Sequence, residues 1–121
     1  MMQQKHMPVE RESVTRKMRI GNFKAYVNVG LYEDGAPGEL FLTVDKAGTF
    51  ERGLCHALAL VISLALQHGV PLEKIAAKLT GLRFEPAGVT GSAEVPMVNS
   101  FCDYLGRWLT LKFSKETKEN K

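Results

Sequence analysis

Three arginines stand where an anion could be held. Arg52 lies one turn into a long apolar run, Thr49 to Gly69, and Lys46-Ala47-Gly48-Thr49 leads into that run. A helix starting there offers free N–H groups and the positive end of its dipole, so Thr49 and Arg52 are candidate phosphate ligands. An ordinary capped helix start accounts for the same residues. A second group, Arg83, Glu85 and Thr90, falls in a stretch rich in glycine and proline; the arginine suits a phosphate and the glutamate a ribose or base edge. The alternative is an Arg83–Glu85 ion pair that pins a long loop. Arg107, in the last apolar segment, either faces the same site or lays its stem over the neighbours of Trp108. Phe84, Phe101 and Tyr104 have the shape to stack on a base, with core packing as the default for each.

Catalytic constellations are missing. His6, His56 and His68 never pair with one another or with a cysteine at helical ligand spacing, so no zinc motif exists in the sequence and no metal is expected. Cys55 sits beside His56 in the first turns of the apolar run, but adjacent helical positions point apart, and a buried structural cysteine is the simpler reading. There is no phosphate-binding Gly-rich loop with its lysine, no nucleophile elbow and no carboxylate pair at useful spacing. The residues do not describe an enzyme, and they imply no cofactor.

The elements that must carry the arginines follow from periodicity. Order is expected from Val14, with residues 1–13 a flexible arm. Met18 and Ile20 alternate with Lys17 and Arg19, then Gly21-Asn22 makes a hairpin turn. Phe23, Ala25, Val27, Val29 and Leu31 share one face of a second strand. Asp34-Gly35-Ala36-Pro37-Gly38 breaks the chain, and Leu40, Leu42 and Val44 point inward from a third strand. The run from Thr49 is apolar on nearly every side, which predicts a buried helix. Its polar members Arg52, His56, Ser63 and Gln67 form one narrow stripe. A further helix begins at Pro71, with Leu72, Ile75, Ala76 and Leu79 inward, and ends at Gly81. Residues 82–92 read as a loop. Pro96 opens a last helix whose inward face is Met97, Phe101, Tyr104, Leu105, Trp108 and Leu109, and 114–121 is a polar tail. The predicted fold is α+β: a three-stranded antiparallel meander packed on a long buried helix, followed by two more helices, all in a single domain over 14–113.

Composition narrows the setting. A chain of 121 residues can bury a core without staples, and its two cysteines form no Cys-x-x-Cys pair, which fits a reducing cytoplasm. The net charge of +3 comes largely from the two ends, not from one basic face interleaved with aromatics, so a nucleic-acid partner is not expected. The apolar run is interrupted by Ser63 and closed by Gln67-His68-Gly69, and its unbroken part is roughly half of the ~20 residues a bilayer span requires. No membrane association is expected.

Four strings, VGLYEDGAPGELF (29–41), ALQHGVPLEKIAAKL (65–79), RFEPAGVTG (83–91) and DYLGRWL (103–109), resemble the TSCPD domain, the C-terminal accessory domain of adenosylcobalamin-dependent (class II) ribonucleotide reductases. They occur in the right order and span most of 15–113. The resemblance implies that radical chemistry, the cobalamin site and the active-site cysteines belong to a separate barrel absent from these residues. Two departures stand out. Full-length enzymes of that kind carry a cysteine-rich tail, whereas no cysteine follows Cys102 here. Short relatives carry the Thr-Ser-Cys-Pro-Asp run that names the family; the nearest region here, Thr90-Gly91-Ser92-Ala93-Glu94-Val95-Pro96, lacks the Cys-Pro-Asp.

Residues and resemblance together predict a non-enzymatic domain that binds a nucleotide or other phosphorylated small molecule through Thr49, Arg52, Arg83, Glu85, Thr90 and Arg107. It would act as a regulatory subunit or, as a virus might use it, to sequester a nucleotide. A homo-oligomer is expected because so apolar a helix needs more cover than three strands and two helices supply. The rival is a protein-interaction module that docks on a ribonucleotide reductase large chain without a ligand of its own.

Overall fold

The computed structural model describes residues 3–45 and 48–114; Lys46, Ala47 and the polar tail expected beyond Ser114 lie outside the described residues. Three strands, β1 (Ser13–Ile20), β2 (Phe23–Leu31) and β3 (Pro37–Val44), form an antiparallel sheet in that order. Then come α1 (Thr49–Gln67), α2 (Leu72–Leu79), a short ribbon of β4 (Gly88–Val89) with β5 (Met97–Val98), and α3 (Phe101–Phe113). The α+β architecture is the one expected. The chain divides into two compact units: Met1–Lys17 with Lys24–Val70, and Met18–Phe23 with Pro71–Lys121.

In the first unit, alternation along β2 places Ala25, Val27 and Val29 in the core with no exposed surface, and Leu40 and Val44 join them from β3. Leu42 is only half-buried. The strand pairing sets Gly30 opposite Glu39, and a Cβ on Gly30 would come 2.2 Å from Glu39 Oε2. The missing side chain thus makes room for a buried carboxylate. Arg11 grips that carboxylate with both arms, Nε to Oε2 at 2.7 Å and Nη2 to Oε1 at 3.0 Å, and donates from Nη1 to the Pro8 carbonyl. Residues 3–12, which carry no periodicity, are tied down further along as well: the Lys5 N–H donates to the Gln67 carbonyl, and Tyr32 Oη donates to the Lys5 carbonyl.

This arrangement makes a prediction. Gly30→Ala displaces Glu39 from its bidentate partner and is expected to destabilise the protein by about 1–3 kcal/mol, the cost of overpacking. Because both changes act on one carboxylate, Gly30→Ala combined with Arg11→Ala should cost less than the two single losses added together, which urea unfolding of the four proteins in a double-mutant cycle measures.

Helix α1 packs on β3 through a mixed face. Ser63 Oγ accepts from the Leu40 N–H at 2.8 Å and donates to the Leu40 carbonyl at 3.1 Å, while Gln67 Nε2 donates to the Gly38 carbonyl at 3.0 Å. Since β3 is an outer strand, these side chains occupy backbone groups that β2 does not pair. Half of the polar stripe therefore holds the sheet edge, whereas Arg52 and His56 are exposed. Burial of the helix is one-sided. Only Ala59 and Ile62 are fully buried, and Phe50, Leu54, Leu60, Val61 and Leu64 stand in solvent. The all-round burial expected of this helix is not observed, because the face turned inward is the one that carries Ser63 and Gln67, whose bonds to β3 fix which side is covered.

In the second unit, α2 and α3 cross in contact. Leu72, Ala76 and Leu79 are buried as the spacing predicts, and Gly81 follows at φ 90°. The last helix starts later than Pro96. Met97 and Val98 are extended, paired with Val89 and Gly88, and α3 begins at Phe101 with Ser100 as its N-cap: Ser100 Oγ accepts from the Asp103 N–H at 2.9 Å. Met97 consequently leaves the core and is 62 % exposed.

Candidate functional site

Among the described residues, no hydrogen bond or ion pair joins any two of the six candidate residues. Thr49 and Arg52 belong to the first unit; Arg83, Glu85, Thr90 and Arg107 belong to the second.

At the start of α1 the N-cap is Gly48, in an extended conformation and without a side-chain capping bond. The positive end of the dipole nonetheless has a negative charge beside it from within the helix. Glu51 folds back over the cap, its Oε1 only 2.6 Å from where a Cβ on Gly48 would stand, so a carboxylate already sits by the positive end of the dipole. A phosphate would have to displace or repel it. Arg52 is exposed, and its side chain has no hydrogen-bond or ion-pair partner among the described residues.

Thr90 and Arg107 act inside the fold. Thr90 is buried; its hydroxyl donates to the Val95 carbonyl and accepts from the Ser92 N–H, and Ser92 Oγ accepts in turn from the Glu94 and Val95 N–H groups. Residues 90–95 thus form a self-bonded turn. Arg107 Nη1 donates to the Met97 carbonyl at 2.6 Å and lies 3.5 Å from Asp103, which latches β5 onto α3. Arg83 and Glu85 are both exposed, with no ion pair between them among the described residues.

Sequence reasoning missed the polar hub of the second unit. Asp103, which is not on the inward face that helical spacing picks out, is 2 % exposed: Oδ1 accepts from the Gly81 N–H and Oδ2 from the Asn99 N–H, both at 2.8 Å. Ser100 Oγ also donates to the Leu82 carbonyl. A signal was present, since Ser100-x-x-Asp103 is the spacing of a capping box.

Cys55 shows no activation. Burial pushes its thiol pKa up, and the Glu51 charge adds to the rise, so the helix start does not make it a thiolate. Among the described residues no cluster of His, Cys, Asp or Glu could hold a metal ion. Two open troughs of about 550 and 360 Å³ run beside the N-terminal segment, the first lined by Val9, Glu10, Arg11 and Glu12. Arg11 is engaged with Glu39 there, which leaves a mainly acidic lining with nothing to receive a phosphate.

The comparisons decide the family. The family model described as the TSCPD domain matches residues 2–113. The chain belongs to the TSCPD domain family. This TSCPD domain is 41 % identical over 107 residues to a vitamin B12-dependent ribonucleotide reductase of Rhodopirellula baltica, covering 88 % of this chain and 10 % of that one. It is 38 % identical over 109 residues to proteins of the same name from Streptantibioticus cattleyicolor and Streptomyces avermitilis, covering 90 % of this chain and 18 % and 11 % of theirs. The TSCPD domain therefore spans between a tenth and a fifth of the length of these relatives. No solved structure matches it. Neither trough is large enough for a corrinoid, the group in the relatives' name, and no histidine is among the described residues that line them.

Proposed function

We propose that the chain is a non-catalytic accessory domain of ribonucleotide reduction that docks on a reductase large chain through the apolar tip of its second unit. The observation that carries this reading is the exposure of Val89 and Met97, 64 % and 62 %, which pair across the β4–β5 ribbon and so stand side by side. Leu82 and Phe84 are exposed by nearly half, and the Phe84 N–H donates to the Asn99 carbonyl beside the ribbon. Exposed apolar residues with Arg83 and Glu85 at their rim are what a protein interface of the non-obligate kind requires. The relatives support the assignment to reductases, because they carry the equivalent stretch within far longer chains.

The test is binding of the purified chain to a vitamin B12-dependent reductase by biolayer interferometry. Wild type should bind, and Val89→Asp or Met97→Asp should weaken binding by about 10-fold or more without change in the circular dichroism spectrum. No binding by wild type at tens of micromolar would end the proposal.

Arg52 and Arg83, exposed and without side-chain partners among the described residues, favour a second reading, a nucleotide or related phosphorylated ligand held for regulation or sequestration. Native mass spectrometry with ribonucleotides, deoxyribonucleotides and cyclic dinucleotides tests it. A nucleotide retained at fixed stoichiometry, and lost on Arg52→Ala or Arg83→Ala, supports this reading; a clean apo mass across the panel removes it.

A further inference from the structure

The residues of α1 that face solvent have a spacing of their own. Phe50, Leu54, Val61 and Leu64 are 75, 55, 64 and 53 % exposed, and with exposed Ala57 they recur at intervals of four, three, four and three residues. That is the a/d seam of a two-helix coiled coil. Leu60, 57 % exposed, and Gly53, seven residues before it, flank the seam on the same side, and a Cβ added at Gly53 would meet nothing within 4 Å. The opposite face of the same helix, through Ala59 and Ile62, is already packed in its own unit. Glycine is among the least favourable residues in a helix interior, and no close contact among the described residues accounts for Gly53.

We infer that α1 pairs with α1 of a second copy, antiparallel, about a two-fold axis passing by Ala57. This goes beyond the reductase-docking reading and uses a different surface. An axis at Ala57 sets Phe50 opposite Leu64 of the other copy, Leu54 opposite Leu60, and Val61 opposite Gly53, so that each large side chain on one helix meets an available partner or a notch on the other. A surface that fits itself in this way is what a two-fold interface demands. No charged residue interrupts the seam, and antiparallel helices oppose their dipoles. Five large side chains, each exposed by half or more, leave on the order of 500 Å² of apolar surface per copy, taking roughly 150–200 Å² for each. Pairing two copies buries about 1,000 Å², which is where a specific interface begins. The helix is long and apolar enough to cross a membrane, but Ser63 and Gln67 hold it lengthwise to β3, leaving one apolar face and not the full circumference that lipid needs.

Sedimentation velocity of the full chain tests the pairing. Wild type should be a dimer at tens of micromolar. Val61→Glu, at a position exposed in the single copy, should weaken the dimer by about 100-fold while leaving the circular dichroism spectrum unchanged. Ala57→Cys, which places a thiol beside the axis, should give a disulfide-linked dimer on mild oxidation, with the bridge mapped to position 57 by peptide mass. A monomeric wild type, a dimer indifferent to Val61→Glu, a dimer whose Ala57→Cys thiols never bridge, or flotation of wild type with phospholipid vesicles would each overturn it.

Discussion

Gly106→Ala is expected to lower the stability of the protein by about 2–3 kcal/mol, toward the upper end of what overpacking costs even after alanine's better helix propensity is credited. Gly106 lies where α3 crosses α2. A Cβ there would stand 2.6 Å from the Ala76 carbonyl oxygen, 2.6 Å from Thr80 Oγ1 and 2.9 Å from the Thr80 nitrogen. Two of those three atoms are backbone, so no rotamer change can relieve the clash; the helices must move apart. The surroundings resist that movement, because the Thr80 N–H and hydroxyl both donate to the Ala76 carbonyl, and Tyr104, Leu105 and Leu109 beside Gly106 are almost wholly buried. Urea unfolding followed by circular dichroism measures the loss. Adding Thr80→Ala removes one contact and leaves the backbone ones, so it should restore only part of the stability. Full restoration would place the strain in the threonine side chain alone.

Asp103→Ala is expected to cost about 3 kcal/mol, since it orphans two backbone donors that lose their acceptor away from bulk water, each at ~1–3 kcal/mol. Those donors are the N–H groups of Gly81, just past the end of α2, and Asn99, just before α3. The carboxylate thus ties the exit of one helix to the entry of the next. Asp103→Asn keeps one carbonyl oxygen and loses the other acceptor, and its cost should fall between wild type and alanine. Thermal unfolding checks the order. Equal melting temperatures for the alanine variant and wild type would mean that water replaces the carboxylate without penalty.

These two positions show where sequence reading stopped. Period-2 alternation made β2 legible, since Ala25, Val27 and Val29 are buried as a half-covered strand requires. Helical spacing did the same for Leu72, Ala76 and Leu79. Such patterns report one-body preferences for core or solvent. Asp103 defeats them because a short carboxylate is buried only when donors from distant segments converge on it. Gly106 looks like a weak helix residue until the carbonyl of Ala76 is seen beside it. Glu39 and Arg11 meet across 28 residues of sequence, which no local period can register. Met97 was misplaced for a simpler reason: a helical period was continued backwards through Ser100, whose hydroxyl starts the helix.

The candidate site was legible only as chemistry. Arginine, glutamate and threonine were read as able to hold a phosphate, but ability says nothing about availability. Thr90 and Arg107 are occupied by carbonyls within their own unit, and Glu51 occupies the helix start that Thr49 and Arg52 were expected to offer. Arg83 and Glu85 remain exposed. The all-round greasiness of α1 was read as burial, whereas the chain covers only the side of Ala59 and Ile62 and leaves Phe50, Leu54, Leu60, Val61 and Leu64 bare.

The bond between Ser63 and Leu40 also guards an open sheet edge. An outer strand with free N–H and C=O groups is a template on which another extended chain can grow, and Ser63 and Gln67 close that template by filling its hydrogen-bonding positions from the side. On the opposite border, Arg16, Lys17 and Arg19 of β1 repel incoming strands by charge. Peeling α1 away would bare the β3 edge and the apolar helix together. Loss of that helix contact would thus expose a template for strand-by-strand aggregation before the core itself unfolds.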